Sequence, residues 1–414
     1  MQRIDMVGRQ LVSDGASAKT TPKSDDDVVI VSAVRTALTK GKRGGFKDTH
    51  PEKLLSSALS AVVDRVKLDK ALVQDIQVGN VLPPGGGATL ARMSQFYAGF
   101  PETTSIATLN RQCSSGLQAA ANIAGAIKAG YIDIGIGAGV ESMTQYYESA
   151  SYGDLDLEFQ SVPAAADCLL PMGTTSENVA QQFGVTREQQ DRFAAESHAR
   201  AARAQQARLF DEEIVPVSTV VLDKDGNEQA VTVSADDGVR PGTTLESLSK
   251  LKPAFGKGGS TTAGNASQVS DGAAAVLLMR RSTAIKLGIK PLARFVQFAV
   301  VGVPPAIMGI GPAVAIPQVL KQAKLTKEDV DVYEINEAFA SQAVYCVNKL
   351  GLDPAKVNPL GGAIAFGHPL GCTGARQIAT ILPELRRRKA RFGVTSMCIG
   401  SGMGAAALIE NEVL

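Results

Sequence analysis

The 414-residue sequence is poor in the residues that build disulfide frameworks and metal sites. It contains five cysteines, three histidines and no tryptophan. Five cysteines are too few to staple so long a chain, and an odd count leaves at least one thiol unpaired, so we expect a reducing compartment. Neither a Cys-x-x-Cys pair nor another recognised ligand spacing is present, and we therefore expect no metal site.

An excess of charge is also missing. Lysine and arginine total 42 against 41 acidic residues, a formal net charge of +1, so no basic surplus is available to hold nucleic acid or an anionic membrane. Two uncharged apolar stretches, Phe295–Leu320 and Phe392–Ile409, are interrupted by prolines and by glycines respectively. We predict a soluble, globular chain without a membrane span and without a nucleic-acid partner.

Residues 1–27 are polar and lack the apolar core of a secretory signal. Within them, Arg3-Ile4, five residues and then Gln10-Leu11 resemble the amino-terminal peroxisomal import signal. A short helix would place Ile4, Val7 and Leu11 on one face for an import receptor. The alternative is a disordered tail that matches by chance. We predict a flexible targeting tail and a peroxisomal location.

The remainder of the chain alternates strand and helix patterns, which predicts an α/β protein. Val28–Ala33 is a β-branched run typical of a strand buried on both faces, and it favours a parallel sheet. Further strands are predicted at Asp75–Val78, Ile132–Gly137, Ala273–Met279, Val330–Glu334 and Phe392–Cys398, and helices at Pro51–Val66, Leu117–Lys128, Ala338–Leu350 and Gly374–Leu385.

Residues 145–260 have a different texture. They include a charged, Gln- and Ala-rich helical stretch, Thr186–Leu209, opened by a capping box of Thr186 and Gln189. This composition predicts an inserted, more solvated and mainly helical domain. The division expected is a tail at 1–27, a first half at 28–144 plus 261–291, the insertion at 145–260, and a second half at 292–414.

The two halves repeat one plan. In the first, a turn containing Cys113 opens a helix of small residues and a strand follows; in the second, residues 367–376 precede a helix and the strand at Phe392. Duplication of this kind places two helix starts near a shared seam. Ligands gather at strand ends and helix starts in such sheets, so we expect the chemistry at this seam.

Cys113 and His368 are the first candidates for that chemistry. Cys113 lies directly before the helix, where the helix dipole would lower the pKa of a thiol and activate it as a nucleophile. His368, in a rigid Gly-His-Pro-Leu-Gly turn, is a candidate base for the thiol proton. We expect His198, in a charged helix, to be a solvated surface residue, and His50 a loop residue.

Two further candidates lie at strand ends. Cys398 stands in Cys-Ile-Gly-Ser-Gly-Met-Gly, where glycines allow backbone N–H groups to face a ligand as an oxyanion hole. Asn336 begins Asn-Glu-Ala-Phe, and its amide can hold a water or a carbonyl oxygen. The remaining thiols, Cys168, Cys346 and Cys372, are interpreted as structural.

Together these motifs resemble those of the thiolase family, and the resemblance runs from about residue 27 to the end. Asn-Arg-Gln-Cys-Ser-Ser-Gly (110–116), Asn-Glu-Ala-Phe (336–339), Gly-His-Pro-Leu-Gly (367–371) and the glycine-rich segment 398–404 match in order. The connecting segments 139–143 and 264–272 match as well. The degradative peroxisomal members are the most similar. The resemblance implies duplicated α/β halves in an α-β-α-β-α layering, with an inserted mainly helical loop domain.

The resemblance also implies a mechanism, the thiolytic cleavage of 3-ketoacyl-CoA by CoA in fatty-acid β-oxidation. Cys113 is then the nucleophile that carries the acyl group, His368 the base, and Cys398 the acid that protonates departing acetyl-CoA. One oxyanion is stabilised by His368 and a water held by Asn336, and the other by the backbone N–H groups of Cys113 and Gly400. A homodimer is expected, with CoA as a substrate and with no cofactor.

For CoA the resemblance implies a path across the insertion. Its contacts would be Met172, Arg240, Ser247, Phe255, Ala263 and Ser267. Pro171 replaces the histidine of the His-Met-Gly motif of biosynthetic members, which favours a longer, degradative substrate.

Two other functions remain open from the sequence. A condensing ketoacyl synthase of the same superfamily also uses a cysteine at a helix start, but would replace Cys398 with histidine or asparagine. A catalytically silent lipid-binding or redox-thiol protein is the alternative from another class. The presence of Cys113, His368 and Cys398 together argues against silence.

Overall fold

The computed structural model of the chain describes residues 22–148 and 155–413. The predicted import signal, residues 3–11, lies outside this part of the chain. Within it, two α/β halves are each built on a mixed sheet, and they are joined edge to edge where the first strand of one half pairs with the first strand of the other.

The sheet of the first half follows the order β1-β9-β5-β3-β4. Its strands are β1 (Val28–Thr36), β3 (Asp75–Gly79), β4 (Ser105–Leu109), β5 (Ile134–Ser142) and β9 (Ser270–Arg280), with short β2 (Thr39–Lys40) and β6 (Ile214–Val215) pairing β9 and β1. The central strands β1, β5 and β9 are buried along almost their whole length, as the apolar runs predicted.

The second half repeats this sheet in the order β10-β13-β12-β11. Its strands are β10 (Ala293–Gly302), β11 (Val332–Ile335), β12 (Phe392–Ile399) and β13 (Met403–Asn411). In both sheets the first two strand pairs are antiparallel and the third is parallel; the first sheet adds a fifth strand, β4, parallel to β3. Each first strand carries a β-bulge at the same place, between Ile30 and Ser32 in β1 and between Phe295 and Gln297 in β10. The predicted duplication is therefore visible in the strand register.

The prediction of a parallel environment for β1 is wrong. This strand pairs antiparallel with β9 along its length and with β10 at two residues; among the described strands, only the two-residue β6 runs parallel to it. The buried β-branched run arises because helices cover both faces of the sheet. Burial on both faces requires apolar side chains whatever the direction of the neighbouring strand.

The helices form layers around the sheets. The central layer contains α3 (Ser115–Lys128), which packs on the first sheet, and α13 (Thr373–Arg387), which contacts α3 and strands of both sheets. The outer face of the first sheet is covered by α1 (Pro51–Asp64), and that of the second sheet by α10 (Gly311–Ala323). In chain order the helices are α1 (Pro51–Asp64), α2 (Ala88–Tyr97), α3 (Ser115–Lys128), α4 (Met143–Tyr146), α5 (Pro163–Asp167), α6 (Met172–Phe183), α7 (Arg187–Gln206), α8 (Leu245–Ser249), α9 (Arg281–Lys286), α10 (Gly311–Ala323), α11 (Ala340–Leu350), α12 (Ala363–Phe366) and α13 (Thr373–Arg387).

The segment between β5 and β9 holds helices α4 to α8, and α7 begins with the predicted capping box of Thr186 and Gln189. It also holds an antiparallel hairpin of β7 (Val217–Leu222) and β8 (Glu228–Val233), which the sequence pattern did not predict. Its strands are half exposed, so they lack the continuous apolar run that marked the core strands.

The two central helices approach so closely that glycine is required between them. A Cβ on Gly116, near the start of α3, would lie 2.6 Å from the carbonyl oxygen of Gly371 and 2.9 Å from the backbone nitrogen of Ala375. Real Cβ atoms do not approach a backbone oxygen so closely. The starts of α3 and α13, and with them the turns that carry Cys113 and His368, are therefore packed together.

Candidate active site

The turn that carries Cys113 is held in an uncommon conformation. Gln112 has a φ of 48°, in the left-handed region that side chains other than glycine seldom adopt. The Asn110 side chain accepts a hydrogen bond from the Gln112 N–H at 2.8 Å, and the Ser115 hydroxyl both accepts from Arg111 N–H and donates to the Gln112 carbonyl. The polar residues around Cys113 thus fix the turn that presents the thiol at the start of α3.

The Cys113 thiol faces the loop that follows β12. The backbone N–H groups of Gly400 and of Cys113 itself point to the sulfur and favour the thiolate, but burial outweighs them and raises the pKa of Cys113 to about 11. The prediction that the helix start lowers this pKa is therefore wrong for the resting protein. The desolvation of an ion in a water-poor site exceeds the effect of a helix dipole.

Cys398 is the last residue but one of β12 and is fully buried. It belongs to an apolar cluster with Met308 and Ala338, against which Met172 and Phe339 pack. Burial, followed by the negative charge of an ionised Cys113, raises the pKa of the Cys398 thiol well above its ordinary value. A Cβ on Gly400, two residues after Cys398, would lie 3.6 Å from the side chain of Gln112, so the structure brings the segments that carry Cys113 and Cys398 together. Both thiols are neutral near pH 7.

His368 is buried between two polar side chains. Its Nε2 lies 3.2 Å from Nδ2 of Asn336, and its Nδ1 lies 2.6 Å from the hydroxyl oxygen of Thr373. Burial, with a smaller contribution from the positive charge of Arg376, lowers the pKa of His368 to about 3. The imidazole is therefore neutral at physiological pH, which is the form that can accept a proton.

Asn336 is fixed next to the cysteine strand. Its backbone N–H donates to the carbonyl of Ser396 on β12 at 2.8 Å, and Nε2 of Gln342 donates to its carbonyl at 3.1 Å. Its side-chain oxygen Oδ1 is buried and accepts no hydrogen bond from the described residues. A buried acceptor without a partner is costly, so this atom indicates a place where a water or ligand donor binds.

A buried glutamate, Glu141, ties the two halves together behind the site. Its carboxylate accepts hydrogen bonds from the backbone N–H groups of Val81 and Leu82 at 3.1 Å and of Gly371 at 2.9 Å. Gly371 belongs to the turn that carries His368. Burial raises the pKa of Glu141 to about 7. The sequence reading assigned no role to Glu141 or to Thr373, because nothing local distinguishes their side chains from ordinary polar ones.

The structure places the residues expected to contact CoA in two groups. Met172 packs near Cys398, Ser267 donates its N–H to the Ala338 carbonyl at 3.0 Å, and Phe255 lies edge-to-face with Phe339 at 6.4 Å between ring centroids. This group borders the site. The members of the other group are exposed, on the insertion or directly after it, and lie outside the cluster around Cys398: Arg240, Ser247 and Ala263.

His198 is not the surface residue expected from its charged surroundings. It is almost fully buried, and its Nδ1 accepts a hydrogen bond from the backbone N–H of Arg240 at 3.2 Å. On α7 the charged residues other than Asp191 are exposed or partly exposed, whereas Ala194, His198 and Ala201 share the packed side. That spacing of four and three residues was the signal for burial. His50 is exposed, as predicted, and immediately precedes α1.

Three other cysteines lie in the described part of the chain. Cys346 and Cys372 are buried, and Cys168 is half-buried. Within residues 22–148 and 155–413 there is no group of three or more potential metal-ligating side chains. Over the same residues, no helix has the length and hydropathy needed to cross a bilayer.

Comparison with known proteins identifies the family. Two family models match this chain. The thiolase N-terminal domain matches residues 28–282, and the thiolase C-terminal domain matches residues 289–411. The peroxisomal 3-ketoacyl-CoA thiolase B of Rattus norvegicus is 60% identical over 395 residues, which cover 95% of this chain and 93% of the rat protein.

Solved structures of thiolases have the same fold as this chain. The dimeric peroxisomal thiolase of Saccharomyces cerevisiae matches with a TM-score of 0.88 and 48% identity over 98% of this chain and all of that one. A second yeast structure is described as five-layered, α-β-α-β-α, with two core domains of identical topology; it matches with a TM-score of 0.77 and 45% identity over 94% and 99% of the two chains. The fold is thus that of a duplicated, five-layered α/β acyltransferase. The chain belongs to the thiolase family.

Proposed function

We propose that the site cleaves 3-ketoacyl-CoA with CoA and releases acetyl-CoA and an acyl-CoA two carbons shorter, as the last step of fatty-acid β-oxidation in the peroxisome. The observation that carries the proposal is that the turn carrying Cys113 packs against two other segments: the turn of His368, through Gly116 and Gly371, and the loop after Cys398, through Gln112 and Gly400. Both thiols and the imidazole are neutral near pH 7. Relatives of this chain are named peroxisomal 3-ketoacyl-CoA thiolases, and two thiols beside one base suit this chemistry.

The first half-reaction forms an acyl-enzyme. His368 takes the proton of Cys113, and the thiolate attacks the 3-keto carbonyl of the substrate. The bond between C2 and C3 then breaks, and its electron pair remains on C2 of the departing acetyl-CoA. Cys398 gives its proton to that carbanion. A thiol with a raised pKa suits this step, since it keeps its proton until a strong base forms beside it.

The second half-reaction returns the enzyme to its starting state. Cys398, now a thiolate, takes the proton of incoming CoA, and the CoA sulfur attacks the acyl group on Cys113. The Cys113 thiolate leaves and recovers its proton from the imidazolium of His368. Each group regains its original protonation, so no redox partner is needed, and we propose ping-pong kinetics.

Two negatively charged oxygens form during this cycle. For the carbonyl attacked by Cys113 we propose the backbone N–H groups of Cys113 and Gly400, both of which already point to the sulfur. For the thioester oxygen of acetyl-CoA we propose His368 and a water that donates to Asn336. The partnerless, buried Oδ1 of Asn336 supports such a water. Donors of this kind typically lower a barrier by ~3–4 kcal/mol each.

For CoA itself we propose a path across the insertion. Met172, Phe255 and Ser267 would line its inner part, beside Cys398, and the pantetheine arm would pass between them. The exposed group defined above, which contains Arg240, would meet the outer part with its phosphates. This arrangement makes the insertion, residues 145–260, a CoA-binding domain. CoA is a substrate here, and we propose no cofactor.

We also propose that the protein works as a homodimer. Strand β4 lies at the end of the first sheet and is half exposed, and the neighbouring α2 exposes Met93, Phe96 and Tyr97. An open strand edge flanked by exposed aromatic side chains is suited to pairing with another chain. The yeast relative described above is dimeric. The proposed partners outside the dimer are CoA, 3-ketoacyl-CoA and an import receptor that reads residues 3–11.

The deciding experiment follows the absorbance of the 3-ketoacyl-CoA enolate after CoA is added to the purified protein. Loss of absorbance in the wild type, and none with Cys113→Ala, is the expected result. A condensing enzyme would instead decarboxylate malonyl thioesters and leave 3-ketoacyl-CoA intact, which would reject the proposal. A ladder of chain lengths tests the preference for longer substrates that Pro171 suggests.

A further inference from the structure

The ring of His368 is held at both nitrogens by side chains of known hydrogen-bonding capacity. Thr373, the first residue of α13, places its hydroxyl oxygen 2.6 Å from Nδ1 and 3.0 Å from the carbonyl oxygen of Pro369. Asn336 Nδ2 lies 3.2 Å from Nε2 on the other side. His368, Thr373 and Asn336 are all buried, so these protein contacts decide the position of the ring.

The Asn336 amide nitrogen indicates the tautomer, and the proton count at Thr373 is consistent with it. A threonine hydroxyl has one proton, and the Pro369 carbonyl can only accept. If the hydroxyl donates to this carbonyl, its oxygen must accept from Nδ1, which therefore carries the imidazole proton. The amide nitrogen Nδ2 of Asn336 can only donate. It therefore donates to the lone pair of Nε2, so the contacts at Nδ1 and at Nε2 are both consistent with the Nδ1–H tautomer.

We propose that Thr373 is a positioning residue that holds His368 in the Nδ1–H tautomer and so keeps the lone pair of Nε2 available as the base. The inference rests on the proposed function, in which His368 takes the proton of Cys113. In the other tautomer Nε2 would carry a proton, and it would meet the Asn336 amide as donor against donor. The base would then be lost without any change in the fold.

His198 provides an internal reference. Its Nδ1 accepts the backbone N–H of Arg240, so this nitrogen has no proton and His198 is the Nε2–H tautomer. Burial, followed by the charge of Arg240, lowers the pKa of His198 to about 4, so it too is neutral near pH 7. The protein therefore contains two buried neutral histidines with opposite predicted tautomers, besides the exposed His50.

The test combines imidazole ¹⁵N NMR of the full-length protein at pH 7.5 with thiolysis kinetics. His368→Gln identifies the His368 signals. We expect the wild type to show a protonated Nδ1 at His368 and a protonated Nε2 at His198. Thr373→Val keeps the shape of the side chain without its hydroxyl; we expect the Nδ1–H population of His368 to fall and that of His198 to stay unchanged. A wild-type His368 protonated at Nε2 would overturn the inference.

Kinetics of two matched variants separate this role from a structural one. Thr373→Val should lower kcat by ~10–100-fold with KM within about threefold, whereas Thr373→Ser, which keeps the hydroxyl, should retain kcat within about threefold. Equal losses in both variants, or a fully active Thr373→Val, would overturn the positioning role. If the wild type showed no thiolysis at all, the proposed function would fail, and the NMR result alone would decide the tautomer.

Discussion

The ionisation of Cys113 is the property on which the proposed chemistry most directly depends. The structure raises the pKa of its thiol to about 11 from an ordinary 9.0 and leaves His368 neutral. At pH 8 about one molecule in a thousand then carries a Cys113 thiolate, against about one in ten for an ordinary thiol. Since the thiolate is the species that reacts, alkylation by iodoacetamide should be ~100-fold slower than for a model thiol peptide.

The assay is peptide-level mass spectrometry of carbamidomethylated Cys113 between pH 6 and pH 10. We expect the rate to rise tenfold per pH unit over the whole range. His368→Gln should leave the rate at pH 8 within about threefold while abolishing thiolysis, because a neutral imidazole adds no charge to the site. A rate independent of pH between 6 and 8 would reveal a preformed thiolate–imidazolium pair and refute the reasoning.

Three further outcomes are expected. Asn336→Ala should keep the fold and lower kcat ~100-fold or more; near-wild-type turnover would remove Asn336 from the mechanism. Gly116→Ala should destabilise the protein in urea unfolding by ~1–3 kcal/mol, because the added methyl meets the Gly371 carbonyl. The control Gly125→Ala, in open space on the same helix, should be neutral or stabilising by ~1 kcal/mol; equal losses would contradict the packing argument. Deleting residues 1–12 should leave the protein in the cytosol, whereas unchanged import would reject the signal.

The core elements were predictable because their signals are local. The β-branched run at β1 and the capping box at Thr186 specify a strand and a helix start through neighbours close in sequence. The hairpin β7–β8 was missed, since half-exposed strands have no continuous apolar run. His198 was misassigned because the charged side chains around it lie on the opposite face of α7.

The pairing of strands was less predictable than their positions. A buried strand has the same composition whether its neighbours run parallel or antiparallel, and the error at β1 follows from this. The prediction of a lowered pKa for Cys113 was wrong for a similar reason. A helix start is visible in the sequence and lowers the pKa of a thiol, but burial, which raises the pKa of Cys113 further, is set by the tertiary packing around it.

The sequence by itself determined which elements form, that the two halves are copies, and to which family the chain belongs, because strand periods, caps and motifs are properties of short segments. Only the tertiary structure decided that the half-buried Cys113 and the buried Cys398 share one site, that their thiols are neutral, and that Thr373 and Asn336 hold opposite sides of the His368 ring. Cys113 and Cys398 come from different halves, and Asn336 and His368 lie 32 positions apart within the second half, so folding alone sets the distances between them.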